Sequence, residues 1–108
     1  LAILYIWMKE EKTWFVYILE CLDGSFYTGI TNNITKRMAA HSSGKGSKYV
    51  KNKGFKQLLA SKPCENKSEA SKFEYEIKQL PKNEKLNWFI SAQKTAQEEL
   101  SHKLPNLE

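Results

Sequence analysis

Residues 14–21, WFVYILEC, and residues 25–31, SFYTGIT, are two runs of aromatic and β-branched residues separated only by Leu22-Asp23-Gly24. Such runs favour strands, and a gap this short with a glycine free to take positive φ forces them into an antiparallel hairpin. Turn length then decides which side chains share a face. Opposed residues of an antiparallel pair point the same way, while residues along one strand alternate. A two- or four-residue turn puts Tyr17 opposite Ile30 and sends Tyr17 and Tyr27 to opposite faces. A three-residue turn pairs Cys21 with Ser25, Leu19 with Tyr27 and Tyr17 with Gly29, so both tyrosines lie on one face. Val16, Ile18, Phe26 and Ile30 then form an apolar face suited to a core under a helix.

Downstream of the hairpin, Asn32-Asn33 offers an N-cap for a short helix over residues 34–42, ITKRMAAHS, with Arg37 and His41 one turn apart on one stripe. Residues 43–54, SGKGSKYVKNKG, hold three glycines and four lysines and read as a basic mobile loop. Residues 55–60, FKQLLA, suggest a third strand. Asn66-Lys67-Ser68-Glu69 resembles a capping box, and Ala70, Phe73, Ile77 and Leu80 supply the buried stripe of the helix it opens. Pro81 ends that helix and suits the first position of the next, whose apolar side is marked by Leu86, Phe89, Ile90 and Leu100. The expected order is β-β-α-β-α-α, an α+β domain with a three-stranded antiparallel sheet flanked by helices.

A chain of 108 residues with 41% hydrophobic content supports one core, and the composition carries no signature of disorder. Seventeen Lys and Arg against twelve Asp and Glu leave a net charge of +5, which suits an anionic partner and equally suits lysines kept for solubility. Cys21, Cys64, His41 and His102 show no metal-ligand spacing. The apolar run Leu1–Trp7 is too short to cross a bilayer, which takes about 20 residues, and it lacks the features of a signal peptide. Met8 reads as the natural start. The core is therefore expected over residues 13–100, with residues 1–12 as an extension and 101–108 as a tail, in a cytoplasmic protein without a membrane segment.

Taken singly, Tyr17, Tyr27, Arg37, His41 and Glu74 are ordinary strand and helix residues. In order, however, Val16-Tyr17-Ile18, Tyr27-Thr28-Gly29, Arg37 and His41, and Ala70 with Glu74, Ile77 and Lys78 resemble the GIY-YIG nuclease superfamily, in particular its compact stand-alone bacterial members (the UPF0213-like group). Val16 stands where the motif name has Ile, and Thr28 replaces the Ile of YIG; both tyrosines and Gly29 are kept. The resemblance implies phosphodiester hydrolysis with one divalent ion, Mg²⁺ or Mn²⁺, bound by Glu74. It implies that Tyr17 and Tyr27 lie at the hydrolytic centre, with Tyr17 activating the attacking water, and that Arg37 stabilises phosphate charge. Larger members carry an Asn at about the position of Asn87, but the local sequence does not match and Asn87 is left without a role. Because both tyrosines belong to one site, the turn is expected to be of odd length, or to carry a bulge of equivalent parity.

The chemistry is coherent on its own terms. Hydrolysis of an anionic diester needs a positioned water, a base and charge stabilisation. Arg37 supplies a planar, permanent cation, and Glu74 a hard oxygen ligand of the kind Mg²⁺ accepts while keeping several waters. A tyrosine, with an ordinary pKa near 10, needs a cation or a proton acceptor to serve as a base, and His41 is either that partner or a plain helix-face residue. Lys78 either contacts phosphate or pairs with Glu74. Lys45, Lys48, Lys51 and Lys53 are spaced to neutralise backbone phosphates, with Tyr49 among them to stack on a base; the alternative is a solvated loop. DNA, single-stranded or branched, is the expected partner, cut with little sequence preference in repair or recombination, and no obligate protein partner is evident. The competing reading is a non-catalytic nucleic-acid-binding module on the same fold.

Overall fold

The computed structural model describes residues 13–103; the expectations for residues 1–12 and 104–108 lie outside them. The elements are β1 (Trp14–Cys21), β2 (Phe26–Thr31), α1 (Ile34–Ser42), α2 (Lys48–Lys53), β3 (Phe55–Cys64), α3 (Lys67–Lys78) and α4 (Lys82–Lys103). The strands form one antiparallel sheet in the order β2-β1-β3, so β1 is central. This is the expected α+β architecture with one helix more.

The hairpin closes through a three-residue turn. Cys21 N–H donates to Ser25 O at 2.8 Å, Gly24 N–H donates to Cys21 O at 2.9 Å, and Gly24 has φ of 85°. Asp23 Oδ1 braces the turn by accepting from Ser25 Oγ at 2.6 Å and Ser25 N–H at 3.0 Å. Tyr17 consequently pairs with Gly29 and Leu19 with Tyr27, the odd register that sets both tyrosines on one face.

The two faces of β1 found two cores. Val16 and Ile18 pack with Cys64, Ala70, Ile77 and Phe89 beneath α3 and α4. Tyr17, Leu19 and Cys21 pack with Val50 of α2, flanked by Ile34 and Met38 of α1 and by Tyr27, Phe55 and Leu58. Each fully buried aliphatic here contributes about 1.5–3 kcal/mol.

Four boundaries differ from the sequence reading. The basic segment is not all loop: α2 forms because Ser47 Oγ caps Val50 N–H at 3.2 Å, Val50 is fully buried, and Gly54 at φ 82° ends the turn. β3 runs four residues further, to Cys64, and carries Pro63 opposite Phe15; an edge strand tolerates proline. Pro81 lies just outside α4, which begins at Lys82 and continues to Lys103. On α4, Phe89 is buried and Leu86 half-buried, but Ile90 and Leu100 are 45% and 57% exposed: Ile90 sits about 100° round the helix from Phe89, and Leu100 lies in the stretch 93–101 that is exposed throughout. Trp88 takes the place expected of Ile90, packing edge-on against Phe89 at 5.0 Å between ring centroids. At α3, Asn66 Oδ1 accepts from Glu69 N–H at 2.8 Å as expected, while Glu69 Oε1 reaches Glu65 N–H instead of closing the box on Asn66. No helix among the described residues is long and apolar enough to cross a membrane.

Candidate active site

The site is built from the β1–β2 face outward. Tyr17 is fully buried, and its ring lies over Gly29: a Cβ there would sit 2.5 Å from the Tyr17 hydroxyl and 2.7 Å from Cζ. Because the ring is fully buried, Gly29→Ala is expected to lower stability by about 1–3 kcal/mol through overpacking, read as a reduced urea midpoint at unchanged m-value.

Helix α1 delivers the partners. His41, in its last turn, is 2% exposed, and its Nε2 lies 2.8 Å from the Tyr17 hydroxyl. The imidazole meets Tyr27 edge-on at 5.6 Å and stacks on Phe55 at 6.5 Å. One turn earlier, the Arg37 guanidinium lies near both tyrosine side chains, and its buried Nε has no hydrogen-bond partner among the described residues. Burial pushes the Tyr17 hydroxyl above its ordinary value of 10; Arg37 pulls against that, and Tyr27 and Glu74 reinforce it. Burial, and then the charge of Arg37, holds His41 below 6.5. At neutral pH the pair is therefore a protonated tyrosine against a neutral imidazole.

Helix α3 brings Glu74 and Lys78 to the same place. Glu74 is half-buried, its charge is felt at Tyr17, and Lys78 Nζ lies 3.4 Å from its Oε2 and 6.0 Å from the centre of the Tyr27 ring. Of the two sequence readings of Lys78, the pairing with Glu74 is the one seen, beside the Tyr27 ring. No group of three or more His, Cys, Asp or Glu among the described residues is clustered to hold an ion. The half-exposed Glu74 carboxylate is nevertheless a hard oxygen ligand of the kind that fits Mg²⁺ or Mn²⁺, ions that keep waters and share their shell with a phosphate.

Of the expected nucleic-acid contacts, Lys45, Lys48 and Lys51 are exposed and have no carboxylate partner among the described residues. Lys53 differs: its Nζ is bound to Asp23 Oδ2 at 3.0 Å and lies 5.2 Å from the Tyr49 ring. Tyr49 stacks on Tyr27 at 5.8 Å, so one of its faces is already covered. Asn87 is exposed and lines a groove with Phe73, Glu76 and Trp88, apart from the tyrosine face. Sequence reading missed Phe55 and Gly46, both against the His41 ring, and Asp23, which anchors Lys53. Only Asp23 and Gly46 carried a local signal, as turn and loop residues.

Two tyrosines, an arginine and a carboxylate brought near one another from β1, β2, α1 and α3 repeat the motif order of the sequence, and the family model for the GIY-YIG catalytic domain matches residues 13–87. The chain belongs to the GIY-YIG family. Its similar relatives include a UPF0213 protein of Oceanobacillus iheyensis, 53% identical over 79 residues, covering 73% of this chain and 90% of the relative. A UPF0213 protein of Clostridium perfringens is 46% identical over 93 residues, covering 86% of this chain and 98% of the relative. The solution NMR structure of a UPF0213 protein from Bacillus halodurans is 42% identical, covers 74% of this chain and 84% of that one, and superposes with a TM-score of 0.45.

Proposed function

We propose that this GIY-YIG domain is a divalent-metal-dependent endonuclease that hydrolyses phosphodiester bonds in DNA, selecting structure over sequence. The observation that carries the reading is the Tyr17–His41 hydrogen bond, closed over Gly29, with Arg37 near Tyr17 and its Nε without a partner among the described residues. In this reading the attacking water gives a proton to the Tyr17 oxygen as the Tyr17 proton passes to neutral His41 Nε2. Neither group need ionise beforehand, which matters because burial disfavours both charged forms. Arg37 takes the negative charge that builds on the phosphate oxygens. Glu74 would hold the Mg²⁺ or Mn²⁺ ion, which supplies further charge neutralisation and assists the leaving oxygen. Repair or recombination is the corresponding cellular role, and soluble cytoplasm the corresponding location.

The proton route sets a pH dependence. His41 accepts only while neutral, and its pKa lies below 6.5, so kcat/KM is expected to be flat through neutrality and to fall as pH drops through that lowered pKa. Cleavage that declines instead between pH 7 and 8 would remove His41 from the route.

DNA contact is assigned to Lys45, Lys48 and Lys51, with less from the paired Lys53. Replacing the first three with Gln is expected to weaken binding to all sequences alike and to reduce the salt slope by up to about 0.9 for each lost phosphate contact. An unchanged slope would make this a solvated surface. The second reading, a non-catalytic binding module, draws on the full burial of Tyr17. A panel of linear, nicked, flapped and branched DNAs, and RNA, incubated with Mg²⁺ or with chelator, separates the two: metal-dependent cuts support the nuclease, and binding without cuts supports the module.

A further inference from the structure

We infer that Gly46 is a positioning residue for the hydrolytic centre: its backbone clamps His41 against Tyr17, in place of the hydrogen-bonding partner that usually orients a catalytic imidazole. The inference deepens the proposed hydrolase reading and rests on it. A relay histidine is normally held by its second nitrogen, which bonds a carboxylate or a carbonyl. Here Nε2 faces Tyr17, and Nδ1 is buried with no hydrogen-bond partner among the described residues. Something else must stop the ring from turning.

The segment after α1 does so. Ser43 N–H donates to Ala39 O at 3.0 Å, Gly44 N–H to His41 O at 3.2 Å and Lys45 N–H to Ala40 O at 2.8 Å, which folds the chain back over the helix end. Ser47 then opens α2. Between them Gly46 is pressed onto the imidazole edge, where a Cβ would collide with Nδ1 and come within 2.8 Å of Cε1 and 2.9 Å of Cγ. Phe55 covers one flat face of the ring and Tyr27 and Tyr17 meet it at an angle, so Gly46 closes the remaining side. Gly46 has no positive φ, unlike Gly24, Gly44 and Gly54. An alanine there meets no positive-φ strain, and the nearest atoms that oppose it are all those of His41.

Gly46→Ala is therefore expected to displace the ring and lower kcat about 10- to 100-fold with KM for DNA nearly unchanged, the size of loss a misplacement of about 1 Å produces. The imidazole ¹⁵N resonances of His41 should shift, a readout independent of turnover. In a His41→Ala background, where the space is vacated, adding Gly46→Ala should cost nothing further. Should Gly46→Ala alone fail to fold, recovery of folding in the double variant carries the same meaning. Unchanged kcat and unchanged His41 resonances, or a cost that persists without the imidazole, would overturn the assignment. A wild-type protein that cuts no DNA would instead defeat the hydrolase reading and leave the resonance test of the clamp standing.

Discussion

Glu74→Gln is expected to reduce metal-dependent cleavage by on the order of 10³-fold or more, while folding and DNA binding stay near wild type. Glutamine keeps the size and the hydrogen-bonding reach of the side chain but not its charge, and a neutral amide is a far poorer ligand for a hard divalent ion. The ion pair it breaks with Lys78 is half-exposed and contributes little to stability, about 0.5 kcal/mol as an i,i+4 pair. Its effect on Tyr17 runs the other way, because Glu74 raises the tyrosine pKa and its removal eases proton loss. A fall in rate can therefore be assigned to the carboxylate as ligand. Steady-state nicking, with anisotropy for binding and a urea melt for folding, checks all three at once; a folded variant that cuts at the wild-type rate removes Glu74 from the metal site.

Tyr17→Phe is the second large effect. The ring stays over Gly29 and the core keeps its packing, but the hydroxyl that links water to His41 is gone. Losing a positioned acid–base group lowers rate by about 10²–10⁴-fold, and that range is expected for kcat at the pH optimum. Leaving His41 Nε2 buried and unpaired also costs stability, about 1–3 kcal/mol. Tyr27→Phe is the comparison, since Tyr27 is half-buried and makes no such bond among the described residues. Equal losses from both tyrosines would contradict a route that runs through Tyr17 alone.

Local rules made much of the fold legible. Leu22-Asp23-Gly24 decided the hairpin register, and Asn33 and Asn66 marked the starts of α1 and α3. Where the reading went astray, tertiary contacts overrode local composition. Lys48–Lys53 looks like loop by its glycines and lysines, yet one buried valine and one serine cap are enough for a six-residue helix. Ile90 and Leu100 look like core by periodicity, but Ile90 turns away from the side of α4 that buries Phe89, and Leu100 lies where the helix is exposed all round. The site was legible as an ordered set of residues, not as an arrangement. The Tyr17–His41 bond spans 24 residues and the Lys53–Asp23 pair spans 30, and no periodicity encodes contacts made by packing separate elements.

The most direct test is to follow nicking of supercoiled plasmid by the purified chain in Mn²⁺ and in EDTA, with binding to the same DNA measured alongside. If Tyr17, Tyr27, Arg37 and Glu74 form a hydrolytic centre, binding will be seen in both conditions and nicked product only with the metal. DNA that is bound in Mn²⁺ but remains intact would contradict it.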